Sequence, residues 1–114
     1  MARPVVHFEI MGPKDAGLQG FYTDLFEWEI NADNPMGYGL VNAAEGGIGG
    51  GVGSAPMGQT YVTVYVSVPD PQVALDRAVE LGGKIAMPVT EIPGLVTMAL
   101  FSDPAGNVMG LVKE

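Results

Sequence analysis

The chain has 114 residues, a formal net charge of −8, five Lys plus Arg, one His and no Cys. This length suits one domain that buries its core without disulfide or metal staples, and the absence of Cys excludes disulfides, thiol chemistry and Cys-based metal sites. So few basic residues leave no basic stripe for nucleic acid or an anionic membrane. We therefore expect a protein that binds neither nucleic acid nor membrane. Because no long apolar segment opens the sequence, we also expect it to be cytoplasmic.

The first predicted element is a half-buried strand from Val5 to Ile10. Its side chains alternate between an apolar and a polar face, and His7 and Glu9 share the polar face. The apolar face consists of Val6, Phe8 and Ile10.

A helix from Lys14 to Glu27 is predicted next, with Pro13 and Asp15 near its start. Apolar residues recur there at i, i+3, i+4 and i+7, which is the spacing of an amphipathic helix with one buried stripe. The stripe consists of Leu18, Phe21, Tyr22 and Leu25. Three extended segments follow, at Trp28 to Ile30, Tyr38 to Asn42 and Ile48 to Val52.

The same order of elements begins again after a short linker. Residues 61–68 alternate without a lapse, with four valines on one face and Tyr61, Thr63, Tyr65 and Ser67 on the other. The next helix has Asp70 as its N-cap and Pro71 in its first turn, and it ends at Gly82-Gly83. The last predicted strands are Lys84 to Met87, Leu95 to Phe101 and Asn107 to Val112, with a loop carrying Pro88 and Pro93 between the first two.

The two halves align in sequence, with His7 on Thr63 and Gly51 on Gly110. The alignment predicts an α+β fold of two tandem βαβββ modules in a single domain: residues 1–53, a linker at 54–59, and residues 60–114. If the helices cover the valine faces, the polar faces line a curved, cup-shaped sheet. The residues expected on that open face are His7, Glu9, Tyr61, Thr63, Tyr65 and Ser67.

Two motifs carry a resemblance to a known family. The helix end from Phe21 to Trp28 resembles Phe-Tyr-x-x-Leu-x-Gly-(Phe/Trp), with Glu27 in place of Gly, and the turn from Asp103 to Asn107 resembles Asp-Pro-x-Gly-Asn. With the repeated module, these residues make the chain similar to the vicinal oxygen chelate superfamily, which includes glyoxalase I, bleomycin-resistance proteins and extradiol dioxygenases. The resemblance implies a homodimer that binds a small organic molecule.

The resemblance also implies where a metal would lie. The family's metal enzymes bind a divalent cation through His, Glu or Gln at four inward positions, which correspond to His7, Gly51, Thr63 and Gly110. Only His7 is an ordinary side-chain ligand, and a catalytic metal site normally has about three. We therefore expect no metal or other cofactor, and expect the missing side chains to make room in the cup.

Three hypotheses on function follow. The leading one is a metal-independent member of the superfamily whose cup binds a small organic ligand by sequestration, as bleomycin-resistance proteins do, without chemistry. The second is an isomerase, lyase or dioxygenase-like enzyme that uses His7 and Glu9, with or without a weakly held metal. The third is a protein-interaction module whose open face is buried against a partner.

The candidate site residues leave alternatives open. His7 suits hydrogen bonding or proton transfer to a ligand, or it is a satisfied polar residue on a sheet. Glu9 either polarises a ligand or is solvated at the rim. Tyr61, Tyr65 and Ser67 line either a ligand site or a subunit interface. Thr63, Gly51 and Gly110 are expected at the same ligand site, and the glycines of the Gly51 strand either curve the sheet or lie beneath a ligand.

Overall fold

The computed structural model describes residues 2–114, in which two helices and eight strands form. In chain order they are β1 (Val5–Gly12), α1 (Leu18–Phe26), β2 (Ile30–Asn31), β3 (Gly39–Val41), β4 (Gly49–Ser54), β5 (Tyr61–Val68), α2 (Pro71–Glu80), β6 (Lys84–Ile92), β7 (Val96–Ser102) and β8 (Val108–Lys113). The order β-α-β-β-β occurs twice. The predicted α+β class and the internal repeat are confirmed.

The chain divides into two compact units. The first, the N-unit, is residues 6–63; the second, the C-unit, is residues 64–114 together with residues 2–5. In the N-unit the strand order is β2-β3-β4-β1, with β1 and β4 parallel and the other pairs antiparallel. In the C-unit the order is β6-β7-β8-β5, again with one parallel pair, β5 and β8. The two units therefore share one topology.

The strand register agrees with the sequence alignment of the two halves. Glu9 of β1 lies opposite Gly51 of β4, and Tyr65 of β5 lies opposite Gly110 of β8. Because the alignment places His7 on Thr63, Glu9 and Tyr65 are also equivalent, and each faces the equivalent glycine in its own unit.

The C-unit has a conventional core under α2. Leu75 of α2 is 1% exposed and packs with Val68, Ala99 and Leu111 of the sheet. Asp70 caps the helix as predicted, because its side chain accepts hydrogen bonds from the backbone N–H of the second and third helical residues. Burial of these apolar side chains is the main source of stability for the unit.

Helix α1 of the N-unit is shorter and more exposed than predicted. It begins at Leu18, because Gly17 precedes it in a left-handed conformation (φ 68°) and a turn occupies residues 13–16. The predicted buried stripe is wrong for Phe21 and Leu25, which are 57% and 56% exposed. The aromatic residues of α1 contact one another and Trp28 and are not buried in a core. Tyr22, for example, stacks on Trp28 with ring centroids 5.6 Å apart.

Strand β6 is longer than predicted. The sequence pattern ends it at Met87 and places Pro88 in a loop, whereas β6 continues to Ile92. In the C-unit β6 is an edge strand with register shifts on both sides of Met87. Proline is tolerated on edge strands and at bulges, since it lacks only a backbone donor that such positions do not need.

Residues 2–114 include no helix with the length and apolar character needed to cross a membrane.

Candidate functional site

Tyr38 is the residue around which the candidate site is built. It immediately precedes β3, and its ring lies directly over the Cα of Gly51 on the adjacent strand β4. A Cβ atom at residue 51 would overlap the phenol ring and hydroxyl of Tyr38. Only glycine at this position permits so close an approach. The space expected to be open in the site is therefore filled, and that expectation is wrong.

The Tyr38 hydroxyl joins two residues of β1. It donates a hydrogen bond to Glu9 Oε2 at 2.8 Å, and it lies 2.9 Å from His7 Nε2. Because the Tyr38 proton is donated to Glu9, the Tyr38 oxygen must accept in its contact with His7. The neutral His7 ring therefore carries its proton on Nε2 and donates it to Tyr38. The Tyr61 hydroxyl donates to the other carboxylate oxygen, Glu9 Oε1, at 3.3 Å. We call His7, Glu9, Tyr38 and Tyr61 the tyrosine–carboxylate cluster; all four lie in the N-unit.

Two side-chain amides hold the loop that presents Tyr38. Asn34 Nδ2 donates to the Tyr38 carbonyl oxygen at 2.6 Å, and Asn34 Oδ1 accepts from the Tyr38 N–H at 3.0 Å. Gln19 of α1 bridges the same loop to β4, donating to the carbonyl oxygens of Gly37 and Val52. Tyr38 is thus held in place through hydrogen bonds to both its own backbone N–H and its own carbonyl oxygen.

Electrostatics in the cluster follow from burial and from one carboxylate. Glu9 is 8% exposed and is held by the two tyrosine hydroxyls. Burial lowers the pKa of His7 from its ordinary value, and the nearby Glu9 charge opposes this effect without cancelling it. Burial, with the charge of Glu9 and its hydrogen bond, raises the pKa of Tyr61 to about 12. The lowered pKa of His7 and the raised pKa of Tyr61 therefore keep the imidazole neutral and the Tyr61 phenol protonated at neutral pH.

The structure brings three of the predicted site residues together, His7, Glu9 and Tyr61. The prediction that Glu9, Thr63 and Tyr65 lie on an open face is wrong, because they are 8%, 4% and 5% exposed.

Within the C-unit the Tyr65 ring covers Gly110, as Tyr38 covers Gly51 in the N-unit, and this contact explains the burial of Tyr65. Ser67, also predicted on the open face, is half-buried, and its backbone N–H donates to the Pro4 carbonyl oxygen.

Tyr38 is the site residue that the sequence analysis missed. The sequence pattern places Tyr38 only at the start of the predicted strand from Tyr38 to Asn42 and assigns it no role in a site. The usable signal is the run of glycines from Gly49 to Gly51 in the neighbouring strand, since a glycine in a sheet leaves a gap that a cross-strand aromatic ring fills.

The comparisons with known proteins point to one superfamily. No protein-family profile matches the chain. A Mycobacterium tuberculosis protein named "Putative glyoxylase CFP32" is 32% identical over 100 residues, which are 80% of this chain and 38% of that protein. The chain thus spans about two fifths of the length of the curated relatives it matches.

Solved structures share the fold across nearly the whole chain. A glyoxalase/bleomycin resistance protein/dioxygenase superfamily member from Vibrio splendidus 12B01 matches 99% of this chain and 100% of its own, with a TM-score of 0.65 at 17% identity. The Mn(II)-bound glyoxalase from Novosphingobium aromaticivorans matches 98% of this chain and 40% of its own, with a TM-score of 0.62 at 17% identity.

The chain therefore has the fold of the vicinal oxygen chelate superfamily and resembles a glyoxylase-like relative in sequence.

The metal site that the superfamily implies does not fit these residues. Of the four ligand positions only His7 has a ligating side chain, and its Nε2 is hydrogen-bonded to Tyr38. A ligand introduced at residue 51 or 110 would overlap the ring of Tyr38 or Tyr65. Within residues 2–114 no three His, Cys, Asp or Glu side chains lie close enough together to hold an ion. The cluster can donate and accept hydrogen bonds and move protons, but its donor set is not that of a catalytic metal.

Proposed function

We propose that this chain is a metal-independent member of the superfamily that binds a small organic molecule at the tyrosine–carboxylate cluster. The observation that carries the proposal is the position of Tyr38, whose ring fills the space of a side chain at residue 51. Its hydroxyl links His7 to Glu9, so a hydrogen-bonded cluster replaces the ligand set of the metal enzymes. His7, Tyr38 and Tyr61 are only half-buried, and their rings offer an apolar wall beside polar atoms.

The single histidine provides a direct test of this function. His7 is the one source of imidazole C–H signals in the proton NMR spectrum, and it lies inside the cluster. We expect small aromatic fragments, screened against protein treated with a chelator, to shift these signals saturably. Fragment binding that appears only after a divalent metal is added would contradict the proposal.

An enzyme is the second candidate, and the state of His7 favours it. A lowered pKa keeps the imidazole neutral at neutral pH, as a general base requires, and Tyr38 connects it to a carboxylate. Such a cluster suits isomerisation or proton abstraction next to a carbonyl. Turnover of the methylglyoxal-derived hemithioacetal or of a catechol, lost in His7→Ala, would support this candidate. Absence of turnover with either compound, with and without added metal, would count against those two reactions.

We also propose a homodimer. Helix α1 exposes Phe21, Leu25 and Phe26, each more than half accessible, and exposed clusters of large apolar side chains mark interaction surfaces. A second copy of the chain is the partner that the resemblance implies.

A further inference from the structure

The hydrogen bonds of the cluster decide which ligands it can take. Every O–H proton of the two tyrosines is directed at Glu9, and the Nε2 proton of His7 is directed at Tyr38. The donors are therefore engaged within the cluster. The Tyr38 oxygen already accepts from His7, so the group that offers lone pairs to a ligand is the phenol oxygen of Tyr61, which has two acceptor sites beside its one proton.

A ligand that brings only acceptors is disfavoured by this arrangement. A carbonyl or carboxylate oxygen that binds through a tyrosine hydroxyl must take that proton donor away from Glu9. Glu9 is 8% exposed, and a buried carboxylate that loses a hydrogen bond pays a large desolvation penalty. A carboxylate ligand would also meet the negative charge of Glu9 at short range.

A ligand that brings donors and positive charge faces neither difficulty. It can donate to the Tyr61 oxygen while Glu9 keeps both tyrosine hydrogen bonds, and its charge is attracted to Glu9. The tyrosine rings add an attraction of their own, because the face of an aromatic ring favours a cation.

The wider charge distribution acts in the same direction. Lys14 is the single Lys or Arg between residues 6 and 63, whereas that stretch contains several acidic residues besides Glu9, and the whole chain carries a net charge of −8. A field of this sign raises the local concentration of cations.

From these contacts we infer that the cluster binds a small organic cation, a protonated amine attached to an apolar or aromatic body. This inference rests on the proposed function, because it names the class of ligand for the same site.

Three probes of the same size test the inference: 2-phenylethylammonium, 2-phenylethanol and phenylacetate. Each is titrated into the wild-type protein at neutral pH while the His7 imidazole signal is followed by NMR. We expect 2-phenylethylammonium to bind at least about tenfold more tightly than phenylacetate, with the neutral alcohol between them. This comparison needs no variant, so it stands even if a substitution prevents folding.

Two matched variants locate the effect. Glu9→Gln removes the buried charge and is expected to reduce the preference for the ammonium over the alcohol by about tenfold. Glu45→Gln makes the same change in charge in the exposed turn before β4 and is expected to leave that preference unchanged.

The possible failures are distinguishable. If phenylacetate or the alcohol binds at His7 more tightly than the ammonium, the inference is wrong while the proposed ligand-binding function stands. If Glu45→Gln weakens ammonium binding as much as Glu9→Gln, the preference is a general charge effect and the inference is again wrong. If no probe shifts the His7 signal, the inference fails and the proposed function fails with it for ligands of this size.

Discussion

Tyr38 has two roles in the cluster, since its ring fills the space above Gly51 and its hydroxyl satisfies Glu9. The roles separate in Tyr38→Phe, which keeps the ring and removes the hydroxyl. Because Glu9 is buried and loses one of its donors, we expect the free energy of unfolding to fall by about 1 kcal/mol.

Chemical denaturation measures this change, and Tyr22→Phe is the matched control. The Tyr22 hydroxyl has no hydrogen-bond partner among residues 2–114, so its removal is expected to change little. Equal losses in the two variants would show that the Tyr38 hydroxyl does not stabilise the buried carboxylate.

His7 gives a second prediction at this scale. Since burial outweighs the charge of Glu9, NMR titration should give a His7 pKa below 6.5, the value of an unperturbed histidine. Glu9→Gln should lower the pKa of His7 further, because it removes the effect that raises it. A His7 pKa above 6.5 would show that the charge of Glu9 outweighs the burial of the ring.

The pH dependence of stability follows from the same shift. A histidine whose pKa is lowered on folding binds more protons in the unfolded chain, so stability rises with pH between the folded pKa and 6.5. The free energy of unfolding should therefore fall as pH drops through this window, and His7→Gln should flatten that fall. Denaturation curves across the window in both proteins measure it. A wild-type curve as flat as that of His7→Gln would exclude the linkage.

At the scale of the elements, α1 ends in a strained position. Glu27 follows the helix with φ 58°, in the left-handed region that favours glycine, and it occupies the place where the family motif has Gly. Glu27→Gly should raise the free energy of unfolding by about 1 kcal/mol.

Glu27→Ala is the control for that variant, because alanine removes the charged side chain but keeps the Cβ that causes the strain. Thermal or chemical denaturation compares the two. Equal stabilisation by Ala and Gly would attribute the effect to the side chain of Glu27 and not to its backbone.

Much of the element order could be predicted from the sequence, for physical reasons that are local. The alternation from Tyr61 to Val68 predicts both ends of β5 correctly, and Asp70 followed by Pro71 predicts the start of α2. The α1 start could not be predicted, because the left-handed Gly17 overrides the favourable Pro13 and Asp15.

The candidate site was only half predictable. His7 and Glu9 are close in sequence, so strand alternation puts them on one face. Tyr38 reaches them from the loop residue just before β3, and its position depends on the pairing of β3 with β4. The burial of Thr63 and Tyr65 could not be predicted from hydrophobicity. Hydrophobicity predicts that the valine face of β5 is the buried one, whereas Val62 on that face is 70% exposed and Thr63 and Tyr65 on the other face are buried.

At the scale of the whole molecule, the proposed homodimer predicts a concentration-dependent mass. Sedimentation should give a dimer, and Phe21→Glu should shift it toward monomer, because a charge on the exposed face of α1 disfavours its burial. Val73→Glu, at a residue of α2 that is 64% exposed, is the control and should leave the mass unchanged. A wild-type protein that sediments as a monomer at every concentration would contradict the proposal.

If a hydrogen-bonded tyrosine replaces the metal centre in this chain, no tight site for a divalent cation should exist, and calorimetric titration of Mn²⁺ into tag-free protein measures this. Wild-type protein and His7→Ala are titrated side by side. We expect the same weak isotherm for both proteins, arising from carboxylates at the surface. A tight isotherm with one ion per chain, present in the wild type and abolished by His7→Ala, would contradict it.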